Sequence, residues 1–211
     1  MFDLDGTLVD TMTSAPMAYA RTITSLGGPE LSVDEVVAAW HVGPAPVVLA
    51  HVLRRAVSPD DVECYYGHVE AAVAAVTPFP GVRQMLDALD QQGYRLGVFT
   101  AATRRAAHLV LAAAGLDRYF PTVIGGDDVD QPKPAPRGLR IACQELGVRV
   151  AAAAYVGDAE TDLQCAEAAG ALGIHARWGA PPVTIAGARL VAQHPNDVVG
   201  LLSRPDPARR R

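Results

Sequence analysis

From residue 78 to residue 176 the chain alternates four times between a stretch of helical period closed by a glycine and a short apolar run. Helices are expected over 82–92, 104–114, 136–146 and 161–169. Gly93, Gly115, Gly147 and Gly170 follow them, where a left-handed residue closes the last turn at least steric cost. The runs 94–100, 122–124, 153–156 and 171–176 read as strands. Strands separated by helices cannot pair as hairpins, so the alternation requires a parallel sheet with a helix laid on it at each crossover. The class is therefore α/β, and a ligand is expected beyond the carboxyl ends of the strands.

Residues 13–77 carry helical signals only. A helix over 16–26 is closed by Gly27-Gly28, and Ser32 with Glu35 forms a capping box that opens a helix ending at Trp40. A third helix is expected over 46–56, and Ser58-Pro59-Asp60-Asp61 opens a fourth that runs to 76. Four helices with short links make a compact insert. The expected organisation is an α/β core from residues 1–12 and 78–203, a helical insert of residues 13–77, and a flexible tail over 204–211, broken by Pro205 and Pro207.

Composition removes other classes. Half of the 211 residues are hydrophobic and 19% are charged, yet no run approaches the roughly 18 apolar residues of a membrane span. Acids at Asp3 and Asp5 stand where a secretory leader carries bases, so a cytoplasmic protein is expected. The net charge of −5, with a basic run only at 209–211, argues against a nucleic-acid partner. Cys64, Cys143 and Cys165 match neither zinc nor disulfide spacing and read as reduced core thiols. Of the 18 basic residues, Lys133 is the one lysine. An ammonium is a compact point charge and a guanidinium a wide fork, so the two differ most where packing around an anion is close.

On the expected strands, the polar residues collect at one rim. Asp3 and Asp5 end the first strand, sharing a face, and Gly6 turns the backbone away from them. Thr100 ends the second strand, Lys133 lies in the loop after the third, and Asp158, with Asp162, follows the fourth. Any one of these acids alone reads as a cap or turn residue; together they make a site. Carboxylates this close repel one another without a cation, and hard oxygen ligands suit Mg²⁺ rather than zinc. A carboxylate, a lysine and a hydroxyl beside such an ion suit phosphoryl transfer. The carboxylate attacks phosphorus to give an acyl-phosphate that water cleaves, and a second carboxyl acts as general acid and then base.

Asp3-Leu4-Asp5-Gly6-Thr7-Leu8-Val9-Asp10, Thr100, Lys133-Pro134-Ala135-Pro136 and Gly157-Asp158-Ala159-Glu160-Thr161-Asp162 resemble the four ordered motifs of the haloacid dehalogenase superfamily. The resemblance extends to about Gly179 and is nearest to the branch of phosphoglycolate phosphatases and β-phosphoglucomutases, which carry a helical cap between the first two motifs. It implies a Rossmann-like parallel sheet core with helices on both faces, an inserted four-helix cap at 13–77, and a hinge at Asp10 and Thr11. It implies that Asp3 is the nucleophile and a Mg²⁺ ligand. Asp5 would be the general acid and base, with its backbone carbonyl on the metal. Thr100 would hold a phosphoryl oxygen, Lys133 would pair with Asp3 and the phosphoryl group, and Asp158 would bind the metal with support from Asp162. The implied partner is a small phosphorylated metabolite, and the implied state a monomer or homodimer.

Dehalogenases of the superfamily lack an acid at the Asp5 position, so Asp5 implies a phosphatase. The alternative within the family is a phosphomutase of the β-phosphoglucomutase type. Such relatives carry a basic cap residue soon after a glycine comparable to Gly43, which is followed here by Pro44-Ala45-Pro46 with no base before Arg54. A non-catalytic binding protein on the same fold is the alternative from another class, opposed by four acids kept in mutual repulsion. Two departures stand out. Only Met1 and Phe2 precede Asp3 where relatives have several more apolar residues, so either the start lies upstream or the central strand is short. Ala101 stands where phosphatases often show asparagine. Trp40 and His41 read as packing, and Gly125-Gly126-Asp127-Asp128 as a turn leading to Lys133.

Overall fold

The computed structural model describes residues 1–179, 184–185 and 187–203; the expected tail over 204–211 lies outside them. Among the described residues, five short strands form the sheet: β1 (Gly97–Phe99), β2 (Thr122–Ile124), β3 (Ala154–Gly157), β4 (Leu172–Ala176) and β5 (Val191–Ala192). β1 pairs with β2, and β3 pairs with β4, which pairs with β5, all in parallel. Phe2 joins the two blocks, bridging Val98 on one side and Val156 on the other. Its amide donates to the Gly97 carbonyl at 2.9 Å, its carbonyl accepts from the Phe99 amide at 2.9 Å, and the Asp3 amide donates to the Val156 carbonyl at 2.9 Å. The order across the sheet is thus β2, β1, the Phe2 segment, β3, β4, β5.

The first strand is shorter than the sequence predicts. The chain leaves the sheet after Asp3 and turns, the Leu8 amide donating to the Leu4 carbonyl at 2.9 Å and the Gly6 amide to the Val9 carbonyl at 2.9 Å. Gly6 sits at φ 78°, in the left-handed region. Asp3 and Asp5 therefore do not share a strand face. β1 also starts later than expected, because the Tyr94 amide is spent on closing the preceding helix, donating to the Leu89 carbonyl at 3.0 Å.

The helices are α1 (Ser14–Ser25), α2 (Val33–Ala39), α3 (Ala45–Leu53), α4 (Pro59–Val73), α5 (Val82–Gln91), α6 (Arg104–Ala113), α7 (Arg137–Glu145), α8 (Glu160–Ala169) and α9 (Asp197–Ser203). The four expected glycines all take positive φ at the ends of α5, α6, α7 and α8. A capping box forms at Ser32 with Glu35, as the spacing predicts, and a second forms at Ser58 with Asp61. β5 and α9 were not expected.

Strand alternation sends side chains to two faces. Phe99, Ile124 and Tyr155 pack with Leu139 and Cys143 of α7 and Cys165 of α8. Phe2, Val98, Val123 and Val156 pack on the other side with Leu86 of α5 and Leu111 of α6. The helical insert meets this second face through α4 on α6: the Tyr66 hydroxyl donates to Thr103 Oγ1 at 3.1 Å, and Arg105 Nη2 donates to Glu63 Oε2 at 2.9 Å. The Arg105 guanidinium also lies 4.0 Å above the Tyr66 ring. All three cysteines are free thiols, Cys143 and Cys165 buried. No helix of the described residues is long and apolar enough to cross a membrane.

Candidate active site

The carboxyl ends of the strands converge. Asp3 follows the Phe2 bridge and Asp158 follows β3. Thr100 follows β1 and is buried, its amide donating to the Ile124 carbonyl at 3.0 Å, so the β1 and β2 ends fix it together. Lys133 arrives from the loop after β2, beyond a 3-10 turn at Gly126–Asp128, and Asp162 stands in the first turn of α8.

Lys133 is the centre of the arrangement. Its Nζ donates to Asp162 Oδ1 at 2.6 Å, to Asp3 Oδ1 at 2.8 Å and to the Tyr155 hydroxyl at 3.3 Å. An ammonium has three protons, and each has an acceptor here. The side chains of Lys133, Asp3 and Asp162 are only 8%, 9% and 0% exposed. Burial works against the ammonium's charge, but the carboxylates of Asp162 and Asp3 overcome it and hold the pKa above the ordinary lysine value. Asp162 is fully committed, since its Oδ2 accepts from the Ala159 amide at 3.0 Å. It fits only because residue 157 is glycine: a Cβ there would lie 2.3 Å from Asp162 Oδ2.

Tyr155 was not singled out from the sequence, where it reads as one apolar residue of a strand. Its hydroxyl donates to the Phe99 carbonyl at 2.7 Å and also lies 3.2 Å from Asp162 Oδ1. The signal available was the phenol itself, which in a strand buried on both faces must find a partner. Thr7, within the first motif, has no role legible in the sequence; its hydroxyl donates to Asp158 Oδ1 at 2.8 Å, and its carbonyl accepts from Trp178 Nε1 at 2.8 Å.

The acids carry the electrostatic cost of this crowding. Burial pushes the Asp3 carboxyl well up, with the charges of Asp162 and Asp158 adding to the effect and Lys133 opposing it. Asp158 is pushed up to about 6, mainly by burial and then by Asp162, against the hydrogen bond from Thr7. Asp5 is raised by burial, with a hydrogen bond from the Thr11 hydroxyl opposing. A carboxyl raised in this way holds a proton more readily at neutral pH.

Asp3, Asp158 and Asp162 each offer an oxygen within 4.8 Å of the others. Hard oxygen donors in mutual repulsion fit a Mg²⁺ ion. Because both Asp162 oxygens are engaged within the chain, Asp3 and Asp158 are the carboxylates free to ligate. The Asp5 side chain stands outside this trio.

Gly6 secures the geometry twice over, since a Cβ there would also meet Asp158 Oδ2 at 2.6 Å. Gly6→Ala is expected to displace that carboxylate and lower kcat on the order of 100-fold, while the left-handed φ costs about 1–2 kcal/mol of stability. Paired kinetic and urea-unfolding measurements check both effects; unchanged kcat would show that Asp158 tolerates the shift.

A cavity of about 270 Å³ opens above these groups. Asp3, Asp5, Thr100, Lys133 and Asp158 line it from the sheet side, and residues of α1 and α4 line it from the helical side. The turn after Asp3 thus brings Asp5 to the same space by a different route from a shared strand face. Ala101 and Trp40 also line it.

The chain has known relatives. The profile of the family described as "Haloacid dehalogenase-like hydrolase" matches residues 1–175. The plasmid-borne phosphoglycolate phosphatase of Cupriavidus necator is 36% identical over 178 residues, which is 81% of this chain and 76% of that protein. The phosphoglycolate phosphatase of Aquifex aeolicus is 29% identical, covering 96% of this chain and 95% of its own length. The crystal structure of CbbY from Rhodobacter sphaeroides in complex with phosphate superposes with a TM-score of 0.81 over 93% of this chain and 94% of that one, at 24% identity. The match from Met1 through β4 spans all four motifs that meet at the cavity, and the chain belongs to the haloacid dehalogenase-like hydrolases.

Proposed function

We propose that this hydrolase is a Mg²⁺-dependent phosphatase that cleaves a small phosphomonoester through an aspartyl-phosphate on Asp3. The observation that carries the reading is Lys133, held between Asp3 and Asp162 at 2.8 and 2.6 Å at the floor of the cavity. Asp3 attacks phosphorus through a carboxylate oxygen as the ester P–O bond breaks. The leaving alkoxide takes a proton from Asp5, whose raised pKa suits it to carry one. Water then attacks the acyl-phosphate, Asp5 accepts its proton, and inorganic phosphate leaves with Asp3 restored.

Thr100 and Lys133 hold phosphoryl oxygens, and Asp162 and Tyr155 position Lys133. Asp3, Asp158 and the backbone carbonyl of Asp5 would hold the metal, which supplies positive charge for the phosphoryl oxygens. Residues 13–77 act as a cap over a core of residues 1–12 and 78–203, hinged near Asp10 and Thr11, so that closure excludes water. The names of the Cupriavidus and Aquifex relatives support phosphomonoester chemistry. A mutase must also hold a second phosphoryl group, and Lys133 is the one cation among the described residues lining the cavity.

Phosphate release from a panel of monoesters tests the reading. Release is expected to fall to background when a chelator strips divalent ions and to return with added Mg²⁺. Release indifferent to the chelator would overturn the metal assignment.

A further inference from the structure

The cavity is chemically lopsided. Among the described residues, all of its charged lining lies at the phosphoryl end, where Asp3, Asp5, Asp158 and Lys133 gather. Above them, where the rest of the ester must sit, the wall is Met12, Tyr19, Trp40, Tyr65, Val69 and Val73, with alanines between them. Tyr19 and Tyr65 lie tilted against each other with ring centroids 4.9 Å apart. Among the described residues, the other polar groups of the lining are uncharged: Ser14, Thr100, Thr161, the two phenols and the Trp40 indole.

This wall fits one class of leaving group poorly and another well. A carboxylate, as in a phosphorylated hydroxy-acid, needs a cation of its own, and Lys133, the one cation among the described lining residues, lies at the phosphoryl end beside Asp3. A sugar needs a partner for each hydroxyl, and a buried hydroxyl left without one costs about 1–3 kcal/mol. An apolar group asks for nothing that the wall lacks. An apolar cavity of about 150 Å³ accommodates a benzene ring, so about 270 Å³ takes a phosphoryl group and one ring-sized substituent.

We propose that the preferred substrate is the monophosphate of an apolar, ring-sized or branched-alkyl alcohol, rather than a phosphorylated hydroxy-acid or sugar. The proposal rests on the phosphatase reading above and specifies its leaving group. It distinguishes this chain from relatives whose names specify phosphoglycolate.

The test compares kcat/KM with Mg²⁺ for benzyl phosphate and 3-methylbutyl phosphate against phosphoglycolate and glucose 6-phosphate. All four are alkyl esters, so no activated aryl leaving group biases the ranking. The apolar esters are expected to lead by at least about tenfold, the scale on which one apolar group is discriminated in a pocket. Met12 is 38% exposed at the cavity, so Met12→Arg supplies the missing cation at a position tolerant of change. It is expected to raise kcat/KM for phosphoglycolate and lower it for benzyl phosphate. Phosphoglycolate or glucose 6-phosphate equalling benzyl phosphate in the unaltered protein would overturn the leaving-group proposal and leave the phosphatase reading standing. No release from any of the four would overturn both.

Discussion

Asp3→Asn is expected to abolish phosphate release while leaving the fold intact. Its carboxylate is the nucleophile in the proposed reaction, and an amide oxygen cannot form the phospho-enzyme. Loss of a nucleophile that acts in concert with its neighbours costs on the order of 10⁴-fold or more. The fold should survive because the amide is isosteric and its oxygen still accepts from Lys133 Nζ, now 2.8 Å from Asp3 Oδ1. Burial raises the Asp3 pKa in the folded state, so the ionised form is disfavoured there at any pH above the ordinary carboxyl value. Removing that charge at neutral pH should therefore hold or raise the melting temperature of the metal-free protein. Kinetics, thermal unfolding and acid trapping of the phospho-enzyme check these points together. Turnover within tenfold of the original would remove Asp3 from the nucleophile's role and favour a non-catalytic or differently arranged site.

Lys133→Met should produce the largest combined loss of activity and stability. The methionine leaves Asp162, with no exposed side-chain surface, facing Asp3 with no cation between them. Breaking a buried pair from one side costs about 3–5 kcal/mol, and the loss of a charge aimed at the phosphoryl oxygens costs on the order of 10³-fold in kcat. Pairing Lys133→Met with Asp162→Asn separates the two effects: stability should partly return because the orphaned charge is gone, and activity should not. Lys133→Arg keeps the charge but must fit a planar fork among Asp3, Asp162 and Tyr155 where one nitrogen now serves all three. We expect it to lose at least about 100-fold in kcat. Arginine performing as well as lysine would show that the single lysine of this arginine-rich chain survives by chance.

Legibility in the sequence follows how locally each feature is determined. The ends of α5, α6, α7 and α8 are fixed by glycines that must adopt positive φ, so reading the glycines nearly located the helices. The capping boxes at Ser32 and Ser58 are equally local. β5 has two residues, too few for any period to register. The turn after Asp3 escaped notice because Asp3-Leu4-Asp5 alternates as a strand would, while the pairing that ends at Asp3 comes from Val156, far along the chain. At the site, residues whose charge has no other use stood out, Lys133 above all. Tyr155 and Thr7 did not, because a hydroxyl's partner depends on neighbours that only the folded chain supplies.

The Phe2 bridge has a consequence for the order in which the molecule becomes competent. Asp3 is made first, but the backbone that fixes it belongs to β1 and β3, so its placement requires contacts of very long sequence separation. Closing such loops is slow and comes late. During synthesis from the N-terminus, the nascent chain carries Asp3 and Asp5 as ordinary solvated acids until β3 and the first turn of α8 have been made. The ammonium of Lys133 has its full set of acceptors only once Asp162 is in place. Truncated translation products ending before Asp162 are thus expected to be inert towards phosphate esters, however much of the cap and of α5 to α7 they contain.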